Sequence, residues 1–120
     1  MSPSILVIAA HPDDEVLGCG GTLLKLAHEG AEIHLAFLAD GIGARNPDAA
    51  QRQAELDQRR AAARAAADIL GAASVHFDDL PDNRLDGVPL LEITQRVEAL
   101  IARHRPVTLF THHGGDLNID

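Results

Sequence analysis

Three residues within four positions carry the most distinctive chemistry of this chain: His11, Asp13 and Asp14, in the run Ala10-His11-Pro12-Asp13-Asp14-Glu15. An imidazole nitrogen and a carboxylate oxygen three positions apart in a tight turn, His11 and Asp14, suit a divalent ion such as Zn²⁺ and leave a position open for water. A metal so placed lowers the pKa of that water and polarises a carbonyl oxygen. Asp13, unligated beside it, is placed to take the water's proton as general base. Pro12 fixes the turn and favours an extended conformation at His11. The competing reading is structural, with Asp13 and Asp14 capping the helix that follows and His11 merely packing. Two adjacent carboxylates and a histidine at the end of the first buried strand favour the metal site.

The elements that must position this turn follow from the hydropathy pattern. Residues 4–10 are almost continuously apolar, the signature of a strand buried on both faces. Glycines 18, 20 and 21 lead into a helical pattern over residues 22–30, with Gly30 as its C-terminal cap. Residues 31–38 form a second strand, and residues 40–47 (DGIGARNP) a loop. Residues 48–70, dense in Ala, Gln, Arg and Glu and ending at Gly71, form a long helix. A third strand over residues 74–77 is followed by a loop over residues 78–89. A helix over residues 90–105 stops before Pro106, and a fourth strand spans residues 107–110.

The order β-α-β-α-β-α-β predicts an α/β fold with a parallel sheet, right-handed crossovers and helices on both faces. Ligands of such sheets bind beyond the carboxyl ends of the strands, where strand order reverses. With strand order 3-2-1-4, the first and fourth strands are neighbours. The turn at His11 then meets Thr111-His112-His113 across the switch point.

At these residues the sequence resembles a known family. AHPDDE followed by GCGGT is similar to the signature of the PIG-L/LmbE-like zinc-dependent N-deacetylases. The likeness runs through an Arg-started second helix ending Ile69-Leu70-Gly71 to the closing THHGGDLNID. It implies a Rossmann-like fold and removal of acetyl groups from N-acetylated amino sugars and sugar conjugates. By the same resemblance His11 and Asp14 are zinc ligands and Asp13 is the base that activates water. The family's third ligand is a histidine closing a later motif, His-Pro-Asp-His; laid on Asn118-Ile119-Asp120, it falls just past Asp120. Asn118 stands where the family often has a histidine that helps stabilise the oxyanion. His112 or His113 takes over that role or completes the zinc site. The expectation carried forward is His113 as catalytic histidine and His112 on the substrate.

Arg59 matches the arginine opening the family's second helix and is expected to touch substrate. Arg45, in the loop after strand two, is expected to contact a substrate hydroxyl or carboxylate; for both the alternative is a solvated surface residue. Ala61 and Ala62 stand where the family usually has Glu. The resemblance further implies that residues 1–120 are the N-terminal part of a single deacetylase domain, cut inside its second motif.

Composition bounds the alternatives. A net charge of −8 argues against nucleic acid, whose phosphates need a basic face. The single cysteine, Cys19, excludes a disulfide framework and fits a reducing, cytoplasmic compartment. As a nucleophile Cys19 lacks an evident base, so packing is its expected role. No apolar stretch is long enough to span a bilayer, and the N-terminal run reads as a strand, not a signal peptide. The expected partner is a small amino-sugar substrate, with homo-oligomerisation left open. A receiver-like signalling domain also has paired acids after strand one and Thr111 after strand four. It needs a lysine after a fifth strand, and the only lysine here is Lys25. Gly18-Cys19-Gly20-Gly21 is not the dinucleotide fingerprint, and acids at 13–15 repel a pyrophosphate. A catalytically incomplete fragment is the remaining alternative.

Overall fold

The structure is a computed structural model of the 120-residue chain, and it describes residues 2–12, 14–39, 48–80 and 89–112. Its elements are β1 (Ser4–Ala9), α1 (Asp14–His28), β2 (Glu32–Ala39), α2 (Ala49–Leu70), β3 (Ser74–Leu80), α3 (Leu90–His104) and β4 (Thr108–Phe110). All strand pairs are parallel, and the sheet order is β3-β2-β1-β4, as the sequence pattern implies.

β1 lies at the centre of this arrangement. Its residues from Ile5 onward are buried because β2 and β4 flank it and helices cover both faces. Alternation sorts its side chains: Ile5, Val7 and Ala9 join Leu23 of α1 and Ala63, Ala67 and Leu70 of α2 on one face. Leu6 and Ile8 meet Leu100 of α3 on the other. The crossover from β3 to β4 therefore changes face, and the switch point falls between β1 and β4. Among the described residues no helix is long and apolar enough to cross a membrane.

The caps are legible in the sequence. The side chain of Asp48 accepts hydrogen bonds from the amides of Ala50 (2.9 Å) and Gln51 (3.4 Å), satisfying two donors at the start of α2. Gly71 ends the helix at φ +79°, a left-handed conformation suited to glycine, and a Cβ there would meet Ala27 Cβ at 3.3 Å.

Two elements differ from the sequence reading. α1 begins at Asp14 and takes in the glycines that the pattern places ahead of the helix, although its backbone leaves helical geometry at Cys19 (φ −148°, ψ 19°). Leu23, buried in the core, and Cys19, packed against it at the break itself, hold this segment on the sheet. β3 runs on to Leu80, past the expected end at Phe77, because β2 continues to offer partners after an irregularity between Phe37 and Ala39.

Candidate functional site

The site is built where β1 and β4 end side by side. Val7 pairs with Phe110, so the residues that follow each strand emerge together at the carboxyl edge of the sheet. After β1 the chain turns sharply. The Asp14 amide donates to the His11 carbonyl (3.3 Å), while the His11 amide donates to Asp14 Oδ2 (3.0 Å). This reciprocal pair closes the turn around the buried Pro12 and fixes the carboxylate at the first residue of α1.

After β4, two side chains fasten the chain to β1. Thr111 Oγ1 donates to the Ile8 carbonyl at 2.9 Å, and His112 Nε2 accepts from the Ala10 amide at 2.9 Å. A neutral imidazole held in this way carries its proton on Nδ1. The same Nε2 lies 3.3 Å from Asp14 Oδ2, and His11 Nδ1 lies 3.6 Å from that oxygen. One carboxylate oxygen therefore faces two imidazole nitrogens, one from each end of the switch point.

The two acceptors Asp14 Oδ2 and His112 Nε2 face each other without a proton between them when the Ala10 amide occupies the ring nitrogen. With the Nε2 lone pair of His112 engaged, the nitrogen and oxygen able to face a cation together are His11 Nδ1 and Asp14 Oδ2, 3.6 Å apart, and mixed nitrogen and oxygen donors suit Zn²⁺. His11 and Asp14 thus fit as a pair of ligands. Among the described residues, no group of three His, Cys, Asp or Glu side chains is arranged to hold a metal ion.

A cavity of about 280 Å³ opens beside these groups, walled by Asp14, Glu15 and Cys19 of α1 and by Phe110, Thr111 and His112. Glu15 is only 2% exposed, a buried carboxylate engaged with its surroundings that the sequence reading passed over. Burial, and then the nearby Glu15 carboxylate, pushes the Cys19 thiol above its ordinary pKa, which keeps it protonated and poorly nucleophilic.

The sequence-derived residues divide accordingly. His11, Asp14 and His112 come together. Asp13, Arg45 and His113 lie outside the described residues. Arg59 is exposed on α2, whereas its neighbour Arg60 is half-buried and stands over the Phe77 ring, its Cζ 5.3 Å from the centroid. Arg60 could have been found from the apolar positions Ala63, Ala67 and Leu70, which mark the sheet-facing stripe of α2 that it extends.

Comparisons with known proteins bear on the fold and the family. The chain is 30% identical over 103 residues to the diacetylchitobiose deacetylase of Thermococcus kodakarensis, covering 85% of this chain and 38% of that protein. Its fold matches the N,N'-diacetylchitobiose deacetylase of Pyrococcus horikoshii with a TM-score of 0.84 at 23% identity, over 98% of this chain and 45% of that one. It also matches a 4-carboxy-2-hydroxymuconate hydratase of Pseudomonas putida KT2440 (TM-score 0.74, 28% identity, 97% of this chain and 50% of that one). A further match is the zinc-inhibited form of a teicoplanin deacetylase (TM-score 0.71, 22% identity, 90% of this chain and 55% of that one). The chain thus spans about half the length of these solved structures and less of the curated relative. The family model for PIG-L, GlcNAc-PI de-N-acetylase, matches residues 6–120, and the chain belongs to that family.

Proposed function

We propose that residues 1–120 form the N-terminal part of a single PIG-L domain in a zinc-dependent, cytoplasmic N-deacetylase acting on an N-acetylated amino sugar or sugar conjugate. The observation that supports it most is the approach of His11 and His112 to one oxygen of Asp14, at the strand ends of a chain in this family.

His11 and Asp14 are the residues that would hold Zn²⁺, with the third protein ligand outside the described residues. When bound, such an ion supplies Lewis-acid polarisation of an amide carbonyl and a more acidic water. The remaining work belongs to this chain's own side chains. Asp13 accepts the proton of the attacking water and returns it to the amine as the C–N bond breaks, giving carboxylate and free amine. His113 stabilises the developing oxyanion. His112, Arg45 and Arg59 contact the substrate, and the loops after β2 and β3 read the sugar.

The hydratase of the same fold favours a second reading, addition of water without cleavage of an amide. One experiment separates the two. The full-length protein is assayed for amine release from N-acetylglucosamine conjugates, before and after removal of metal by a chelator and after return of zinc. Amine release that disappears on chelation and returns with zinc supports the deacetylase. No amine release from any N-acetylated sugar with zinc present would overturn it.

A further inference from the structure

Away from the β1 and β4 ends, β3 and α3 bring a second set of ionisable side chains together. A cavity of about 230 Å³ lies between them, with His76 and Asp78 of β3 and Arg96 and Arg103 of α3 on its polar wall. Ala99 and Leu100 complete the lining. A water molecule's share of its liquid is about 30 Å³, so this space takes a small oxyanion together with several waters. None of these residues lines the cavity beside Asp14. In the sheet order, β3 is the strand farthest from β4. The two cavities are separate.

The charges on this wall are unevenly partnered. Asp78 Oδ1 is engaged twice, by Arg96 at 3.2 Å and by His76 Nε2 at 3.4 Å. Arg96 also reaches Glu92 at 3.1 Å. The Arg103 guanidinium has no ion pair or hydrogen bond among the described residues. A second observation gives the sign of the local field. His104 ends α3 and stacks on His34, with ring centroids 4.1 Å apart. Burial first, and then His34, Arg103 and His76, hold the His104 imidazole below its ordinary value, opposed by Glu32. A corner of a chain with net charge −8 thus disfavours a further positive charge. Positive potential gathered at a cavity is what draws an anion.

We propose that the cavity between β3 and α3 binds a tetrahedral oxyanion, inorganic phosphate or a phosphomonoester, with Arg103 as its main donor beside His76 and Arg96. A guanidinium fork matches such an oxyanion with paired hydrogen bonds, and that of Arg103 is uncommitted. Donors from two elements meet on one anion, so its binding also fastens α3 to β3. This site shares no residue with the His11 and Asp14 pair, and the proposal does not depend on the deacetylase reading.

The test titrates inorganic phosphate, and in a second arm glycerol 3-phosphate, into the full-length protein by calorimetry at constant ionic strength. Saturable binding is expected, weakened at least about tenfold in Arg103→Gln. Arg103 is exposed, so this variant keeps the fold. Arg64→Gln removes an equal charge from the exposed face of α2 and should leave the affinity as it was. The thermal midpoint should rise with phosphate in the unaltered protein and in Arg64→Gln, and much less in Arg103→Gln. Tighter binding of phosphate identifies the free anion as the occupant, and tighter binding of glycerol 3-phosphate a monoester. No saturable binding of either, or equal affinity in Arg103→Gln and the unaltered protein, would overturn the proposal. Equal weakening in the two variants would overturn it too, since the attraction would then be that of diffuse charge.

Discussion

His112 Nε2 accepts a hydrogen bond from the Ala10 amide at 2.9 Å, joining residues 102 positions apart and tying the end of β4 to the end of β1. Replacing the ring leaves a part-buried amide without its partner, at a cost of about 1 kcal/mol. His112→Ala is therefore expected to speed hydrogen exchange at Ala10 roughly fivefold, while the Thr111–Ile8 bond keeps the rest of the junction in place. Unchanged exchange at Ala10 would mean that the bond is not formed in solution.

Asp14 has two separable tasks, and two substitutions divide them. Asp14→Asn retains a carbonyl oxygen for the His11 amide but loses the charge facing both imidazoles. Its stability should change little, while zinc affinity, read by calorimetry on the full-length protein, should fall by about 100-fold or more. Asp14→Ala should lose that affinity and also about 1 kcal/mol of stability with the turn. Equal zinc affinity in all three proteins would leave Asp14 with capping alone.

The start of α2 depends on one side chain. Asp48→Ala removes the acceptor for the Ala50 and Gln51 amides and is expected to lower stability by about 1 kcal/mol in urea unfolding. Asp48→Asn should cost only a few tenths, since it caps nearly as well.

Stability should also depend on His104, which stacks on His34 with ring centroids 4.1 Å apart. Burial, then the proximity of His34, Arg103 and His76, holds the His104 imidazole below its ordinary value of 6.5, against the opposing pull of Glu32. His34 itself is held by Ser74 and Glu32, and His76 by Asp78. The folded protein thus takes up the His104 proton less readily than the unfolded chain. The resulting stability is complete above the unfolded value and is lost as pH falls through the lower folded one. The urea midpoint should drop between about pH 7 and pH 5, and drop less in His104→Phe, which keeps the stacked ring without the proton. Equal drops would assign the effect to other groups.

The sequence carried most of the fold because the signals were local and mutually consistent. β1 is a single apolar run, Asp48 and Gly71 bracket α2, and Pro106 bounds α3. Strand order 3-2-1-4 accords with connection rules and places the turn at His11 beside His112 from topology alone. Features set by tertiary contact were not legible. The glycines at 18, 20 and 21 argue against helix, and the packing of Leu23 and Cys19 into the core overrides them. β3 extends because β2 continues beside it, a fact about another segment. On α2 the family resemblance pointed to Arg59, which lies exposed, whereas the helical phase that turns its neighbour Arg60 onto Phe77 only becomes visible once the sheet-facing stripe of α2 is known.

The uneven covering of the two sheet faces has a consequence for how the molecule comes apart. α1 and α2 together bury several side chains in one face, but α3 contributes Leu100 as its single fully buried residue, with Ile93 and Val97 packed beside it. Segments held by few buried contacts open most often in native proteins. α3 leads directly into β4, a strand of three residues at the sheet edge. Within residues 1–120, therefore, amide hydrogen exchange is expected to be faster in α3 and β4, which seat His112, than in β1, which seats the His11 turn.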